Sequence, residues 1–91
     1  MLLTDRPFPG AGVLQQEVSG TMVLLHPHSG RYFSLEEVSL RIWELCDGSR
    51  TVAEVVAVVQ TEYDAPAEEV EEDVVSLLGE LAKEKLVTTA T

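Results

Sequence analysis

Residues 29–48 read Ser29-Gly30-Arg31-Tyr32-Phe33-Ser34-Leu35, then Glu36-Glu37-Val38-Ser39-Leu40-Arg41, then Ile42-Trp43-Glu44-Leu45-Cys46-Asp47-Gly48. The apolar period changes inside this stretch. Up to Leu35 it is two, with Phe33 and Leu35 on the face of Arg31 and Tyr32 and Ser34 on the other, as in a strand. Beyond Leu35, Val38, Ile42, Leu45 and Cys46 fall at i, i+4, i+7 and i+8 with Trp43 beside them, the spacing of an amphipathic helix. Ser34 and Glu37 have the spacing of a capping box, and Asp47-Gly48 is a stop signal. A strand running straight into a helix sets an α+β fold.

Upstream, Val13–Val18 and Thr21–His26 are strand-like runs separated by Ser19-Gly20, a two-residue hairpin turn. The second run is apolar on both faces, Met22 and Leu24 on one and Val23 and Leu25 on the other, which suits the middle strand of a three-stranded meander. Pro27-His28-Ser29-Gly30 supplies the next turn. Residues 1–12 carry Pro7, Pro9, Gly10 and Gly12 and read as a loose N-terminal arm. Downstream, Thr51 and Glu54 form a second T-x-x-E capping signature. Val52, Val55, Val56, Val59 and Tyr63 keep helical spacing behind it. A third helix follows Asp64-Ala65-Pro66, with Val70, Val74, Leu77, Leu78 and Leu81 as its stripe. Leu86-Val87-Thr88 has strand character and is expected to return to the sheet as a short wing, before a tail at residues 89–91. The pattern predicts one domain over residues 13–88: a three-stranded antiparallel sheet followed by three helices.

The chain is 91 residues long with 16 acidic and 6 basic residues, a net charge of -10. A domain this small buries only about 60% of the surface its unfolded chain exposes, which leaves little room for a deep active site. The acidity disfavours phosphate backbones and anionic lipid, so no nucleic acid and no membrane is expected as a partner. Met1-Leu2-Leu3 is followed at once by Thr4-Asp5-Arg6-Pro7 rather than by an apolar signal core, and the expected location is the cytoplasm. Glu68, Glu69, Glu71, Glu72 and Asp73 crowd the start of the third helix. They read as a solvated first turn, because the oxygen-ligand spacing of a calcium loop is missing.

Polar residues elsewhere carry little chemistry. His26 and His28 flank Pro27 in a turn and lack a third ligand, so no metal is expected. Cys46, the single cysteine, lies on an apolar helix face and reads as a small buried hydrophobe. Trp43 reads as core. No nucleophile elbow, phosphate-cradling loop or H-E-x-x-H is present, so neither an enzyme nor a cofactor is expected.

The sheet edge is more informative. The third strand lies at an edge, and an exposed edge either needs cover or takes a strand from a partner. If the third helix packs beside it, strand and helix together form a groove for one extended peptide. The competing possibility is that the segment near Leu86 covers this edge.

The order S-G-R-Y-F-S-L, then I-W-E-L-C-D-G, then Thr51-Val52 with Glu54, and then Asp73-Val74 with Leu77-Leu78 and Leu81 resembles the PqqD-like family, the RiPP recognition elements. The resemblance runs from about Val13 to Val87. It implies a winged helix-turn-helix that binds the leader of a ribosomally made precursor peptide as an added antiparallel strand, between the third strand and the third helix. The residues it assigns to the peptide are Arg31, Tyr32, Phe33 and Ser34 on the strand, whose backbone would supply the ladder bonds, and Glu69, Val70, Asp73, Val74 and Leu77 on the helix. Where the family commonly has an Asn after the strand, this sequence has Glu36. The S-G-R-Y-F strand is similar to the discrete recognition proteins of lasso-peptide clusters, which present the precursor to a leader peptidase and a cyclase. The alternative within the family is a chaperone for the precursor of pyrroloquinoline quinone, serving a radical-SAM enzyme. A winged-helix transcription regulator is the alternative of another class. The expected assembly is a monomer or a weak dimer paired through the same edge.

Overall fold

The computed structural model describes residues 1–89. Its elements are β1 (Pro7–Pro9), β2 (Leu14–Val18), β3 (Thr21–Leu25), β4 (Tyr32–Glu36), α1 (Val38–Leu45), α2 (Val52–Tyr63), α3 (Ala67–Lys83) and β5 (Val87–Thr89). β2, β3 and β4 form the predicted antiparallel meander, with β3 in the middle. Three helices follow, giving the α+β winged helix-turn-helix.

Ser19 (φ 52°) and Gly20 (φ 83°) take the left-handed backbone of a type I′ turn, whose twist matches that of the strands it joins. The side of the sheet facing the helices contributes Met22, Leu24 and Leu35, and onto it pack Ile42, Trp43 and Leu45 of α1, the α2 valines and Val70, Val74, Leu78 and Leu81 of α3. Leu24, Leu78 and Leu81 are fully buried, each contributing about 1.5–3 kcal/mol of burial free energy. Trp43 is core, and its indole N–H donates to Gln15 Oε1 at 3.0 Å.

α2 begins as expected. Thr51 Oγ1 accepts from the Glu54 N–H at 3.1 Å, and the Glu54 carboxylate accepts from the Thr51 N–H at 2.8 Å. Those bonds hold the Glu54 carboxyl below its usual range. A depressed carboxyl stabilises the fold above its unfolded pKa and loses that contribution as pH falls through its folded value, so the box weakens only in acid. α1 does not begin as expected. Ser34 lies in the middle of β4, and Glu37 (φ 50°) precedes the helix without a side-chain cap. Ser39 serves this corner instead, its hydroxyl accepting from the Glu36 N–H at 2.9 Å and donating to the Glu36 carbonyl at 2.8 Å.

The segment expected as a loose arm is built into the fold. β1 pairs antiparallel with β5, Pro7 opposite Thr89 and Pro9 opposite Val87, and Pro7 is buried. Prolines lack donors, so a short two-stranded ribbon can hold them where a central strand cannot. The arm also completes α2. Its Asp5 and Leu3 carbonyls accept from the Val52 N–H at 2.9 Å and the Ala53 N–H at 3.0 Å, two donors that the helix cannot satisfy itself. Gly10 is required where arm meets the end of α3, because a Cβ there would collide with the Lys85 carbonyl.

The wing expectation is corrected too. After α3, Leu86 N–H donates to the Leu81 carbonyl at 2.8 Å and Lys85 N–H to that of Ala82 at 3.0 Å, with Lys85 left-handed (φ 61°). This Schellman-type reversal sends Leu86 and Val87 into the core and β5 to β1, not to the three-stranded sheet. Of the expected tail, Thr89 belongs to β5, and residues 90 and 91 lie outside the described residues.

Thr51→Ala is expected to lower stability by about 1 kcal/mol, read as a lower urea midpoint at unchanged slope; an unshifted midpoint would show that the arm alone caps α2. Cys46 is buried, and burial, followed by the charge of Asp47, pushes its thiol up to about 12. At pH 8 a thiol reagent should therefore label the native protein far more slowly than the urea-unfolded chain. Equal rates would contradict the burial.

Candidate functional site: a sheet edge beside the third helix

Paired residues in an antiparallel sheet alternate between those that exchange two backbone hydrogen bonds and those that exchange none. The two-residue turn at Ser19-Gly20 makes Val18 and Thr21 a bonded pair, so Val23 and Leu25 also turn their backbone groups toward β2. Met22, Leu24 and His26 then face β4. The other end of the sheet agrees, because His26 N–H donates to the carbonyl of its partner Arg31 at 3.0 Å. Phe33, opposite Leu24, and Leu35, opposite Met22, spend their N–H and C=O groups on β3. Tyr32, Ser34 and Glu36 direct theirs to the open side.

Glu36 is already closed off by Ser39. The free edge therefore consists of Tyr32 and Ser34, two donors and two acceptors. Its other end is marked by Gly30 (φ 73°), whose N–H turns back to the His26 carbonyl at 2.9 Å. Among the described residues no strand pairs with this edge, because β5 has gone to β1. The possibility that the Leu86 segment covers it is thereby removed.

α3 is linked to this strand at one end. Arg31 Nη1 meets Glu84 Oε1 at 3.3 Å, which ties the start of β4 to the end of α3. Stepping back along the helix from Glu84 by seven and eleven residues reaches Leu77 and Asp73, which share its face. Leu77 is half-buried and Asp73 exposed, while Val70 and Val74 are 5% and 0% exposed and belong to the core. Phe33 is half-buried on the helix side of β4. Towards the start of α3 a recess of about 180 Å³ is walled by Val38 and Ile42, Val59 and Tyr63, and Val70 and Val74, with exposed Glu69 and Asp73 beside them.

The nine residues assigned from the sequence thus divide by chemistry. Tyr32 and Ser34 present backbone, whereas Phe33 and the Arg31 carbonyl do not, a correction to the reading in which all four supply ladder bonds. Phe33 and Leu77 present apolar side chains, Glu69 and Asp73 carboxylates, and Val70 and Val74 only the floor of the recess. Glu84, Ser39 and Val38 were not anticipated. Of these, Ser39 left a signal: a hydroxyl three residues beyond the end of a strand. His26 and His28 sit in the turn, with the His28 N–H donating to His26 Nδ1 at 3.3 Å. Among the described residues no cluster of three or more His, Cys, Asp and Glu residues could hold a metal ion, and no helix is long and apolar enough to cross a membrane.

Known proteins share this architecture. A "PqqA binding protein" of Rhodopseudomonas palustris (strain TIE-1) is 35% identical over 68 residues, covering 75% of this chain and 65% of the relative, so the chain spans about two thirds of that relative's length. The structure of TbiB1 in complex with the TbiA(beta) leader peptide superposes with a TM-score of 0.82 at 30% identity, covering 92% of this chain and 98% of that one. The PqqD truncation of Methylobacterium extorquens PqqCD, a stand-alone RiPP recognition element, superposes at 0.73 with 27% identity, covering 90% and 87%. The family described as coenzyme PQQ synthesis protein D (PqqD) matches residues 21–87, most of the chain. This chain belongs to the PqqD family.

Proposed function

We propose that this protein is a non-catalytic adaptor that binds the leader of a ribosomal precursor peptide as an extra strand on β4. The observation that carries the reading is the unpaired Tyr32–Ser34 edge lying beside the Leu77–Asp73 face of α3. An added strand gains up to four backbone hydrogen bonds there, net about 1 kcal/mol each at most. That is too little for tight binding alone, so side chains in the groove supply the rest and the sequence selection. Phe33 and Leu77 suit apolar leader residues, and Asp73 with Glu69 suits a basic or polar one. The names of the similar proteins, a PqqA binder and a leader-peptide complex, support a peptide ligand.

Tethering the leader raises the local concentration of precursor at an enzyme. We assign that enzyme to a leader peptidase and cyclase of lasso-peptide type, on the S-G-R-Y-F strand and the greater structural likeness to TbiB1 than to the M. extorquens domain. The second reading, a chaperone serving a radical-SAM enzyme, is favoured by the PqqA-binding relative. Both place the protein in the cytoplasm, where precursors are translated. A DNA-binding role is opposed by α3 itself, whose exposed Glu68, Glu71 and Glu72 would face phosphates. Self-pairing through β4 would compete with the leader, giving a monomer or a weak dimer.

A fluorescein-labelled leader from the precursor encoded in the same gene cluster should show saturable polarisation at micromolar protein. No saturation at tens of micromolar would contradict the reading. Tyr32→Pro removes one outward donor and leaves the β3 ladder intact. It should weaken binding about fivefold, the loss of roughly 1 kcal/mol for one backbone bond, with unchanged circular dichroism. Full affinity in this variant would place the peptide elsewhere.

A further inference from the structure

The sheet face turned away from the helices carries an apolar row that the groove does not use. Register aligns Leu14 of β2, Leu25 of β3 and Tyr32 of β4 directly across the sheet. Leu14 is 56% and Tyr32 68% exposed, Leu25 is half-buried, and β2 is exposed along its whole length, so no helix covers this face. The neighbouring rows are more polar: Gln16–Val23–Ser34, then Val18–Thr21–Glu36. The apolar row ends at Tyr32, the first residue of the free edge.

Pleat geometry fixes what meets Tyr32 when a strand is added. The residue directly opposite projects from the same face, with its Cβ about 4.5–5.5 Å away, while its two neighbours project to the other face, one opposite Phe33 and one opposite Arg31, which is paired with Glu84. We infer that the leader places an apolar side chain opposite Tyr32, extending the Leu14–Leu25–Tyr32 row onto the peptide as a fourth member. This rests on leader binding at β4 and sharpens its specificity. The bound segment is then apolar at two successive residues, the inward one opposite Phe33 and the outward one opposite Tyr32, in place of the alternation of a half-exposed strand. A charged residue at the outward position gains nothing from this row, which offers it neither a counter-charge nor a hydrogen-bonding group except the Tyr32 hydroxyl.

The test is a positional-scanning library of biotinylated 12-residue peptides, each position fixed in turn as Leu, Tyr, Ser, Lys or Glu, measured against the wild type, Tyr32→Ser and Tyr32→Leu. One position is expected to prefer Leu or Tyr over Ser by about threefold to fivefold in the wild type, the size of a good cross-strand pair. That preference should vanish in Tyr32→Ser and survive in Tyr32→Leu, while preferences at the two flanking positions persist in both. Tyr32 is exposed, so neither variant removes core packing. If no pool binds the wild type, the leader-binding reading itself falls. If pools bind but no position depends on residue 32, or the dependent position prefers charge, the inference alone is overturned.

Discussion

Hydrogen-bond parity across the β2-β3-β4 sheet decides what this molecule offers to a partner. The type I′ turn at Ser19-Gly20 makes Val18 and Thr21 a bonded pair, and every later pairing inherits the alternation. The second requirement is negative. The C-terminal strand must go elsewhere, and the Schellman-type reversal at Lys85 together with the N-terminal arm takes it to β1. The arm thus does more than complete α2, since it supplies β1 as the partner of β5.

Charge acts at a different level. All four arginines are paired with carboxylates, Arg41 with Glu62 at 2.8 Å in the closest case, and none of those carboxylates lies in the acidic first half of α3. These pairs are exposed and contribute little to stability. The distribution is uneven: Glu68, Glu71 and Glu72 line one exposed side of α3, whereas Asp73 borders the recess walled by Val70 and Val74. On the proposed reading, one helix repels polyanions on its outer side and offers a carboxylate to a peptide on its inner side.

Much of this was legible in the sequence because it rests on side-chain periodicity. The switch from period two to 3.6 after Leu35, the stripe from Val70 to Leu81 and the Thr51–Glu54 box all appear in the structure. What stayed hidden rests on backbone. β1 was masked by Pro7 and Pro9, and the carbonyls of Leu3 and Asp5 that cap α2 belong to residues whose side chains carry no such signal. The Ser34–Glu37 box was a correct motif in the wrong place, because β4 runs one residue past Leu35 and Ser39 takes over the corner. Spacing alone also grouped Val70 and Val74 with Leu77. Burial separates them, Val70 and Val74 lying in the core and Leu77 half-buried, a long-range fact that no local pattern encodes.

The most direct measurement is residue-resolved amide hydrogen exchange along the sheet, without and with a bound leader. In the free protein the amides of Tyr32 and Ser34 should exchange fast and those of Phe33 and Leu35 slowly, because only the latter are bonded to β3. Leader addition should slow Tyr32 and Ser34 and leave Gln15 and Glu17, on the opposite edge at β2, unchanged. Protection of Tyr32 and Ser34 in the free protein, or protection gained at Gln15 and Glu17 in their place, would contradict the account.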